Sequence, residues 1–487
     1  MPPERFGLVV IGSGLAGLSA AYAAAKSKGG KNKSIALVCC PKGSESASTK
    51  AQGGIACAMG KGDSAELHVR DTLTAGDGLC NARAVNLMVK ESVPRIRELI
   101  ELGISFDDGN EKPDLGIEGG HSARRVLHIN GDATGKGMSE FMRKLALEQN
   151  VHLLDGEISG FAISAGGAEY AGCVLSDGAI LQSSSAIIAA GGFAPLYSNS
   201  TNPQGSAGAC IYAAHLAGTG PADMEFVQFH PTVLIGRGEN YLITESVRGE
   251  GARLVDEEGR QFMPEYSTKG ELDTRDVVSR AIFTEIEKGH KIFLDVGGLA
   301  KAGMHERFPS LHEKMKKEKI GLGDGLLPIR PAAHYTIGGI RADTEGRTNV
   351  RGIYAAGECA STGVHGANRL ACNSLLEALV FGQRAGEDAV KDKGKAHAGK
   401  GGTKQRTVSA ASPAGRRAIG KILWEHAGIV RSAQGLKKGI AELGKLENCA
   451  ERQIALLVLN SALSRRESRG VHFREDFPRK RAEFARA

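Results

Sequence analysis

The chain has 487 residues, a hydrophobic share of 41% and a formal net charge of +7. A single core stops growing at ~250–300 residues, so two or three domains are expected. The 66 glycines, about one residue in seven against a usual ~7%, follow no period, which excludes collagen.

No apolar run approaches the ~20 residues that span a bilayer. Much of the basic excess sits near the end, as in Arg479-Lys480-Arg481, and reads as a solvated face able to steer anionic substrates. No basic run is long or aromatic enough to argue for nucleic acid. Nine cysteines form no CxxC pair and read as reduced thiols, so neither an iron–sulfur cluster nor another metal site is expected. A strand begins by residue 8, which leaves no room for a signal peptide. The expectation is a soluble cytoplasmic protein.

In chain order, Leu8 to Ile11 (LVVI) is an all-apolar run suited to a buried parallel strand. It enters GSGLAG (Gly12, Ser13, Gly14, Leu15, Ala16, Gly17), then the Ala-rich helix LSAAYAAAK, then a second strand, Ile35 to Val38. This is the βαβ opening of a dinucleotide-binding domain, where bare amides at a helix N-terminus favour a pyrophosphate. The second strand usually ends in an acid that holds the ribose. Here it ends Val38-Cys39-Cys40-Pro41-Lys42, which leaves Lys42 or a backbone group for that task.

Two segments follow with unusual density of function. AQGGIACAM (51–59) sets Gly53 and Gly54 after Gln52, behind Ser48 and Thr49. GIEGGHSARRVLH (116–128) packs Glu118, two histidines and two arginines around three glycines, as a grip on a small charged molecule would require. Further on, Ser185 to Ala190 runs into Gly191-Gly192, and GIYAAGE ends in Gly357-Glu358. Both are strand-to-glycine junctions, where α/β folds bind ligands.

Pieces of one nucleotide domain so far apart imply an insertion. The expected division is 1–225 with 331–392 for the nucleotide domain and 226–330 for the insert. A Lys/Gly-rich linker, 393–404, then leads to a helical bundle at 405–487, with helical patterns at Arg416–His426 and Gln453–Leu463.

The insert and the return to the first domain carry the charged groups. MEFVQFHPT (224–232) sets Gln228 and His230 two apart, on one side of a strand. LITESVRGEG brings Thr244, Glu245 and Arg248 together, and TRDVVSRAI opens a helix at Arg275. PAAHYTIGGI and HGANRLACNSLLEAL add His334, His365, Arg369, Asn373 and Ser374. Singly, each has an ordinary explanation: Arg275-Asp276 as a helix cap and ion pair, His230 as a satisfied loop histidine, Arg369 as a ligand of backbone carbonyls. Together they supply the Arg and His groups that a dicarboxylate requires.

GSGLAG, AQGGIA, EFVQFHPT, LITESVRGEG, RDVVSRAI, PAAHYTIGGI, IYAAGE and HGANRLACNSLLEAL occur in this order. The series resembles the fumarate reductase/succinate dehydrogenase flavoprotein superfamily over nearly the whole chain, and within it the L-aspartate oxidase family above all. SRRESRGVHFREDFP (464–478) resembles the end of that family's helical domain. Two departures are visible: Ile337 where aspartate oxidases often carry Cys, and DTRDVV for the commoner APRDIV.

The resemblance implies an α/β fold. A Rossmann-type FAD-binding domain would be interrupted by an α+β capping domain and followed by a C-terminal helical bundle. It implies FAD held by Gly12, Ser13, Gly14, Leu15, Ala16 and Gly17 at the pyrophosphate. Ser48, Thr49, Gln52, Gly53 and Gly54 would line the flavin and ribityl chain, with Gly191 nearby and Glu358 on a ribityl hydroxyl. Asn373, Ser374 and Leu375 would open a helix whose dipole stabilises the anionic reduced flavin. Respiratory members attach FAD through a His five residues before the glutamine; Ala47 stands there, so non-covalent FAD is expected.

For the substrate, the resemblance sets Arg369 and His334 on one carboxylate, and His230 and Thr244 on the other, with Gln228 close by. Arg275 would lie beside the reacting carbons, linked outward through Glu245 and Arg248, either as a base or as an electrostatic clamp. Glu118 would face the substrate ammonium, His121 and Ser122 a carboxylate, while Arg124 and Arg125 pair with Glu118 or with the cap. The implied reaction is oxidation of L-aspartate to iminoaspartate, with O2 or fumarate as acceptor. Quinolinate synthase would be the functional partner, and the chain a monomer or homo-oligomer.

Two rivals remain. A succinate dehydrogenase or fumarate reductase flavoprotein would use the same carboxylate clamps, but Ala47 and the acid-led EGGHS argue against it. An inactive FAD-binding scaffold would leave His230, Thr244, Arg275, His334 and Arg369 without purpose.

Overall fold

The computed structural model describes residues 5–39, 45–109, 112–113, 115–164, 169–205, 207–235, 240–300, 303, 307–321, 323–392 and 403–485. Cys40 to Lys42 lie outside them, and so does most of the 393–404 linker. Among the described residues no helix is long and apolar enough to cross a membrane, no disulfide forms, and no cluster could hold a metal ion.

The first apolar run is a strand, β1 (Leu8–Ile11), buried throughout. It is followed by helix α1 (Leu15–Lys26) and strand β2 (Ile35–Cys39). Strands β3 (His152–Asp155) and β4 (Ala186–Ile188) join them, with the strand Ile353–Ala355 at the far edge. The sheet is wholly parallel, in the order Ile353–Ala355, β4, β1, β2, β3. Such a sheet is covered on both faces, which is why β1, β2 and β4 read as unbroken apolar runs.

Beside it lies an antiparallel meander, Ile158–Ser164, Tyr170–Leu175 and Ile180–Ser183. Arg5–Phe6 edges it on one side and Thr403–Thr407 on the other. The chain beyond the linker thus adds a strand to this sheet before its helices begin.

The insertion forms its own five-stranded antiparallel sheet around a separate apolar core that includes Leu254, Phe262, Ile282 and Leu294. Its two long strands are β5 (Val227–Leu234) and β6 (Leu326–Thr336). Both reach out of the insert's core. Phe229 and Ala333 pack in the core of the first unit, and Thr336 N donates to Glu358 at 3.0 Å. Residues at these strand ends therefore stand at the junction of the two units. Helix α2 (Arg275–Glu287) lies on β5, where Ser279 Oγ donates to the Phe229 carbonyl at 2.9 Å.

Helix α3 (Asn373–Ala389) returns to the first unit and crosses α1 at backbone contact. A Cβ on Gly386 would stand 2.1 Å from the Ala20 carbonyl oxygen, and one on Gly382 2.5 Å from that of Ala16. The Ala-rich sequence of α1 and these two glycines are the two halves of one close approach. Three helices follow: α4 (Pro413–Ala427), α5 (Ala433–Leu443) and α6 (Ala450–Ser464). Their apolar faces, including Leu423, Leu436 and Val458, merge with the core that holds Phe193 and Ile211. The segment after α6 braces the loop before α3: Val471 N donates to Ala367 O at 3.0 Å, and Gly470 leaves no room for a Cβ against that carbonyl.

Gly386→Ala is expected to destabilise the protein by ~1–3 kcal/mol through overpacking at the α1–α3 crossing. Gly29→Ala, whose Cβ would meet nothing closer than 3.6 Å, is the control. Thermal unfolding followed by circular dichroism checks this; equal midpoints for the two variants would contradict the crossing as described.

Candidate active site

A cavity of about 510 Å³ opens at the carboxyl ends of β1 and β4. It runs from Val38, Gly156 and Glu157 at the sheet to His230, Thr244, Arg275, His334 and Arg369 beneath the insert.

The sheet side is a cradle of bare backbone. Gly12 has φ +104°, and a Cβ there would stand 2.4 Å from the Ala189 carbonyl oxygen. Gly17 keeps its side clear for the Gly12 carbonyl, which a Cβ would meet at 1.8 Å. Gly12, Ser13, Gly14 and Ala16 line the cavity, while Leu15 and Gly17 sit behind it. Ser48 Oγ accepts from the Leu15 amide at 3.1 Å, so it holds the first turn of α1. Gln52, Gly53, Gly54 and Gly191 also line the wall.

Glu358 accepts from Thr336 N at 3.0 Å and from Thr336 Oγ1 at 3.2 Å. Burial pushes its carboxyl up to about 7. Ser374 and Leu375 face the cavity at the start of α3.

Two of the residues expected at the cofactor, Thr49 and Asn373, are placed otherwise. Thr49 turns into its own loop, where its Oγ1 donates to Ser46 O at 2.9 Å. Asn373 points away, with Oδ1 2.9 Å from His68 Nε2 and Nδ2 donating to Thr72 Oγ1 at 3.0 Å. Burial there demands that the amide be satisfied at both ends. Lys42 lies outside the described residues.

Under the insert, the charged groups form a bracketed set. Arg275 is the first residue of α2, and Asp276 beside it accepts from Asn368 Nδ2 at 2.8 Å and from Thr274 Oγ1 at 2.6 Å. Asp276 thus ties the first turn of α2 to Asn368 without a side-chain cap on the helix, and Arg275 enters the cavity. Arg275 Nε donates to Glu245 Oε2 at 2.8 Å and Nη1 to Gln228 Oε1 at 3.2 Å. Arg248 Nη2 donates to the other oxygen of Glu245 at 2.7 Å, from behind the wall. Gln228 is also a support behind the wall: its Nε2 donates to Asn368 Oδ1 and Arg369 O, both at 2.8 Å.

Burial would raise the Glu245 carboxyl, but Arg275 and Arg248 outweigh it and hold it below its ordinary value. Burial would likewise lower Arg275, but Glu245 and Glu118 outweigh it and hold the guanidinium above its ordinary range.

Arg369 has weaker company. Its guanidinium lies over the Tyr335 ring, 4.4 Å from the centroid, and Nη1 donates to Ser374 Oγ at 3.2 Å. Its Nε has no partner, and among the described residues no carboxylate pairs with it. Burial and the neighbouring Arg275 push it down to about 10, so it remains a cation at neutral pH. His230 and His334 stack edge to face with ring centroids 5.2 Å apart. Burial and then Arg275 hold both imidazoles well below their ordinary pKa, hence neutral. Among the described residues both ring nitrogens of His230 lack partners, whereas His334 Nδ1 is 2.9 Å from Thr201 Oγ1.

The Gly116–His128 segment divides in two. Glu118 lines the cavity; its Oε1 accepts from Ser246 Oγ at 2.9 Å, and its Oε2 is 3.9 Å from Arg275 Nη2. The other members turn away. His121 Nε2 donates to Ala371 O at 2.9 Å, and Ser122 donates to Asp71 through both N and Oγ at 2.8 Å. Arg125 is fully buried between Asp63 and Asp71, at 2.8 and 2.7 Å, and pairs with neither Glu118 nor the insert. Of the two arginines, Arg124 reaches the insert, 3.7 Å from Glu250. His121 and Ser122 therefore shape the loop, because a buried guanidinium draws both aspartates and their neighbours to itself. His365 is buried against Glu377 at 2.9 Å, away from the cavity.

Several wall residues were not assigned to the site from sequence: Ser46, Thr201 to Gly205, Tyr335, Cys372 and Arg416. Tyr335 and Cys372 lay inside quoted motifs, so proximity to a singled-out residue was their signal. Arg416 reaches the wall from α4, and nothing local announces that.

The FAD binding domain family matches residues 7–375, and the fumarate reductase flavoprotein C-terminal family matches 452–486. An L-aspartate oxidase of Agrobacterium fabrum is 40% identical over 99% of this chain and 94% of its own length. One from Saccharolobus solfataricus is 38% identical over 97% of each. Among solved structures, a quinol fumarate reductase chain of E. coli superposes with a TM-score of 0.87 at 28% identity, covering 99% of this chain and 93% of that one. Glycine cradle, bracketed arginine and full-length likeness agree: this chain belongs to the FAD-binding flavoproteins and, within them, to the L-aspartate oxidase family.

Proposed function

We propose that this chain oxidises L-aspartate to iminoaspartate, the first step of quinolinate and hence NAD biosynthesis, with non-covalent FAD. The observation that carries the reading is the charge inventory of the cavity. Beneath the insert, a buried Arg369 with no carboxylate partner among the described residues and a protonated Arg275 stand near Glu118, whose Oε2 stops 3.9 Å from Arg275 Nη2. Two carboxylates and one ammonium answer that inventory.

FAD, when bound, would supply the two-electron acceptor for the Cα hydride, with O2 or fumarate as the terminal acceptor. The glycines that follow β1 and β4, with α1, would hold its pyrophosphate; Gln52 to Gly54, Glu358 and the start of α3 would hold the rest. Ala47 lines the cavity and offers no nitrogen for a covalent link.

Arg369 and His334 would grip one carboxylate, His230 and Thr244 the other. The neutral imidazoles act as hydrogen-bond donors without adding charge. Glu118 takes the amino group and orients Cα. Glu245 and Arg248 keep Arg275 charged and in place, which favours a clamp over a base. The proposed division into 1–225 with 331–392, 226–330 and 405–487 makes the insert a cap, with β5 and β6 delivering Gln228, His230 and His334 to the seam. A cytoplasmic location and a functional link to quinolinate synthase belong to the same proposal. A succinate–fumarate flavoprotein is the second reading, favoured by the fumarate reductase likeness, but it gives Glu118 nothing to bind.

Three outcomes are expected. Glu118→Gln loses L-aspartate oxidation far more than fumarate reduction in stopped-flow assays, and equal losses would sink its role. Arg369→Leu raises the L-aspartate concentration for half-maximal flavin reduction ~100-fold, as loss of a charge-assisted pair requires; an unchanged value would remove Arg369 from the substrate.

The third concerns pH. In FAD-free protein Glu358 titrates near 7 instead of the ordinary 4.5. Between those values the folded state keeps a proton that the unfolded state has released, so stability falls as pH rises through this window. Urea titrations of Glu358→Gln should show a flatter dependence there; an identical slope would contradict the assignment.

A further inference from the structure

Glu118 and Ser246 come from different units. Glu118 sits in the glycine-rich loop of the FAD-binding unit, and Ser246 opens the short helix Ser246–Gly249 of the insert. The seam between them is tight. A Cβ on Gly119 would stand 2.6 Å from Glu245 Oε1, and one on Gly249 2.9 Å from the Ile117 carbonyl oxygen. Backbone contact on both sides fixes where the Ser246 hydroxyl lies.

That hydroxyl donates to Glu118 Oε1 at 2.9 Å. The Cys372 thiol is kept protonated by burial and by Glu118 itself. Thr244 Oγ1, 3.5 Å away, stands on the accepting side of Ser246. The result is a carboxylate held back from its nearest cation. Glu118 Oε2 and Arg275 Nη2 are 3.9 Å apart, against 2.8 Å for the closed contact between Arg275 Nε and Glu245.

This separation matters for a zwitterionic ligand. If Glu118 closed onto Arg275, each charge would satisfy the other and neither would be offered to the ligand. An amino acid needs both; an unsubstituted dicarboxylate needs only the cations. We propose that Ser246 is a positioning residue that sets the cap's preference for amino-dicarboxylates: its hydroxyl tethers Glu118 across the seam and keeps the carboxylate available to an ammonium group. The proposal rests on the reading of Glu118 as the ammonium partner. It also makes the amino-group site complete only when the insert sits on the loop.

The test uses FAD-loaded Ser246→Ala, Ser246→Thr and Glu118→Gln. Each is reduced anaerobically by L-aspartate, and each is reoxidised by fumarate after chemical reduction. Loss of one hydrogen bond to a charged group predicts that Ser246→Ala lowers the aspartate-to-fumarate ratio of kcat/KM about tenfold. The loss should appear in the half-saturating L-aspartate concentration more than in the limiting rate. Ser246→Thr, which keeps the hydroxyl, should restore most of the ratio. A wild-type ratio in Ser246→Ala, or equal losses in the Ala and Thr variants, overturns the proposal. If Glu118→Gln loses L-aspartate selectively while Ser246→Ala does not, the tether fails and the Glu118 reading stands. If Glu118→Gln leaves the ratio unchanged, the Glu118 reading fails and the proposal falls with it.

Discussion

Three guanidinium groups, Arg248, Arg275 and Arg369, are buried at one seam, and two carboxylates, Glu245 and Glu118, stand among them. Removing such groups from water is costly unless each finds a partner. Glu245 answers two of the cations by accepting from Arg248 on one oxygen and Arg275 on the other. Glu118 is tethered by Ser246 and stops short of a closed pair. Arg369 is left with an aromatic face and a hydroxyl. The seam therefore carries an unsatisfied demand for anion, and the rest of the molecule keeps that demand in place.

The scaffolding is spread across the chain. The FAD-binding unit contributes Glu118 and Arg369, the insert contributes Glu245, Arg248 and Arg275, and β5 and β6 bring His230 and His334 from strands that span both. Asp276 anchors the first turn of α2 on Asn368, and the segment after α6 braces the same loop through Ala367. A site assembled from so many pieces holds its geometry through packing between units, which is the form of support that precise positioning requires.

The parallel sheet was legible because β1, β2 and β4 are short apolar runs, two of which, β1 and β4, lead into glycine. The insertion was legible because strand-to-glycine junctions recurred on both sides of it. What escaped has a common cause. Asn373, His121 and Ser122 carry polar groups beside true wall residues, but each is turned by a partner distant in sequence: Asn373 by His68, His121 by Ala371, Ser122 by Asp71. Arg125 escaped for the same reason, since Asp63 and Asp71 are remote and unremarkable in the chain. Spacing along a loop says which residues are near; it does not say which way each one faces. Thr403–Thr407 shows the complementary limit, because an exposed polar strand at a sheet edge has no apolar pattern to betray it.

The charges at the seam are matched to a zwitterion with two carboxylates. The direct measurement is the anaerobic half-reaction of the FAD-loaded protein, with flavin absorbance followed on mixing with L-aspartate or with succinate. L-Aspartate should bleach the flavin rapidly and completely, and succinate should leave it oxidised. Bleaching by succinate with no response to L-aspartate would contradict the central claim.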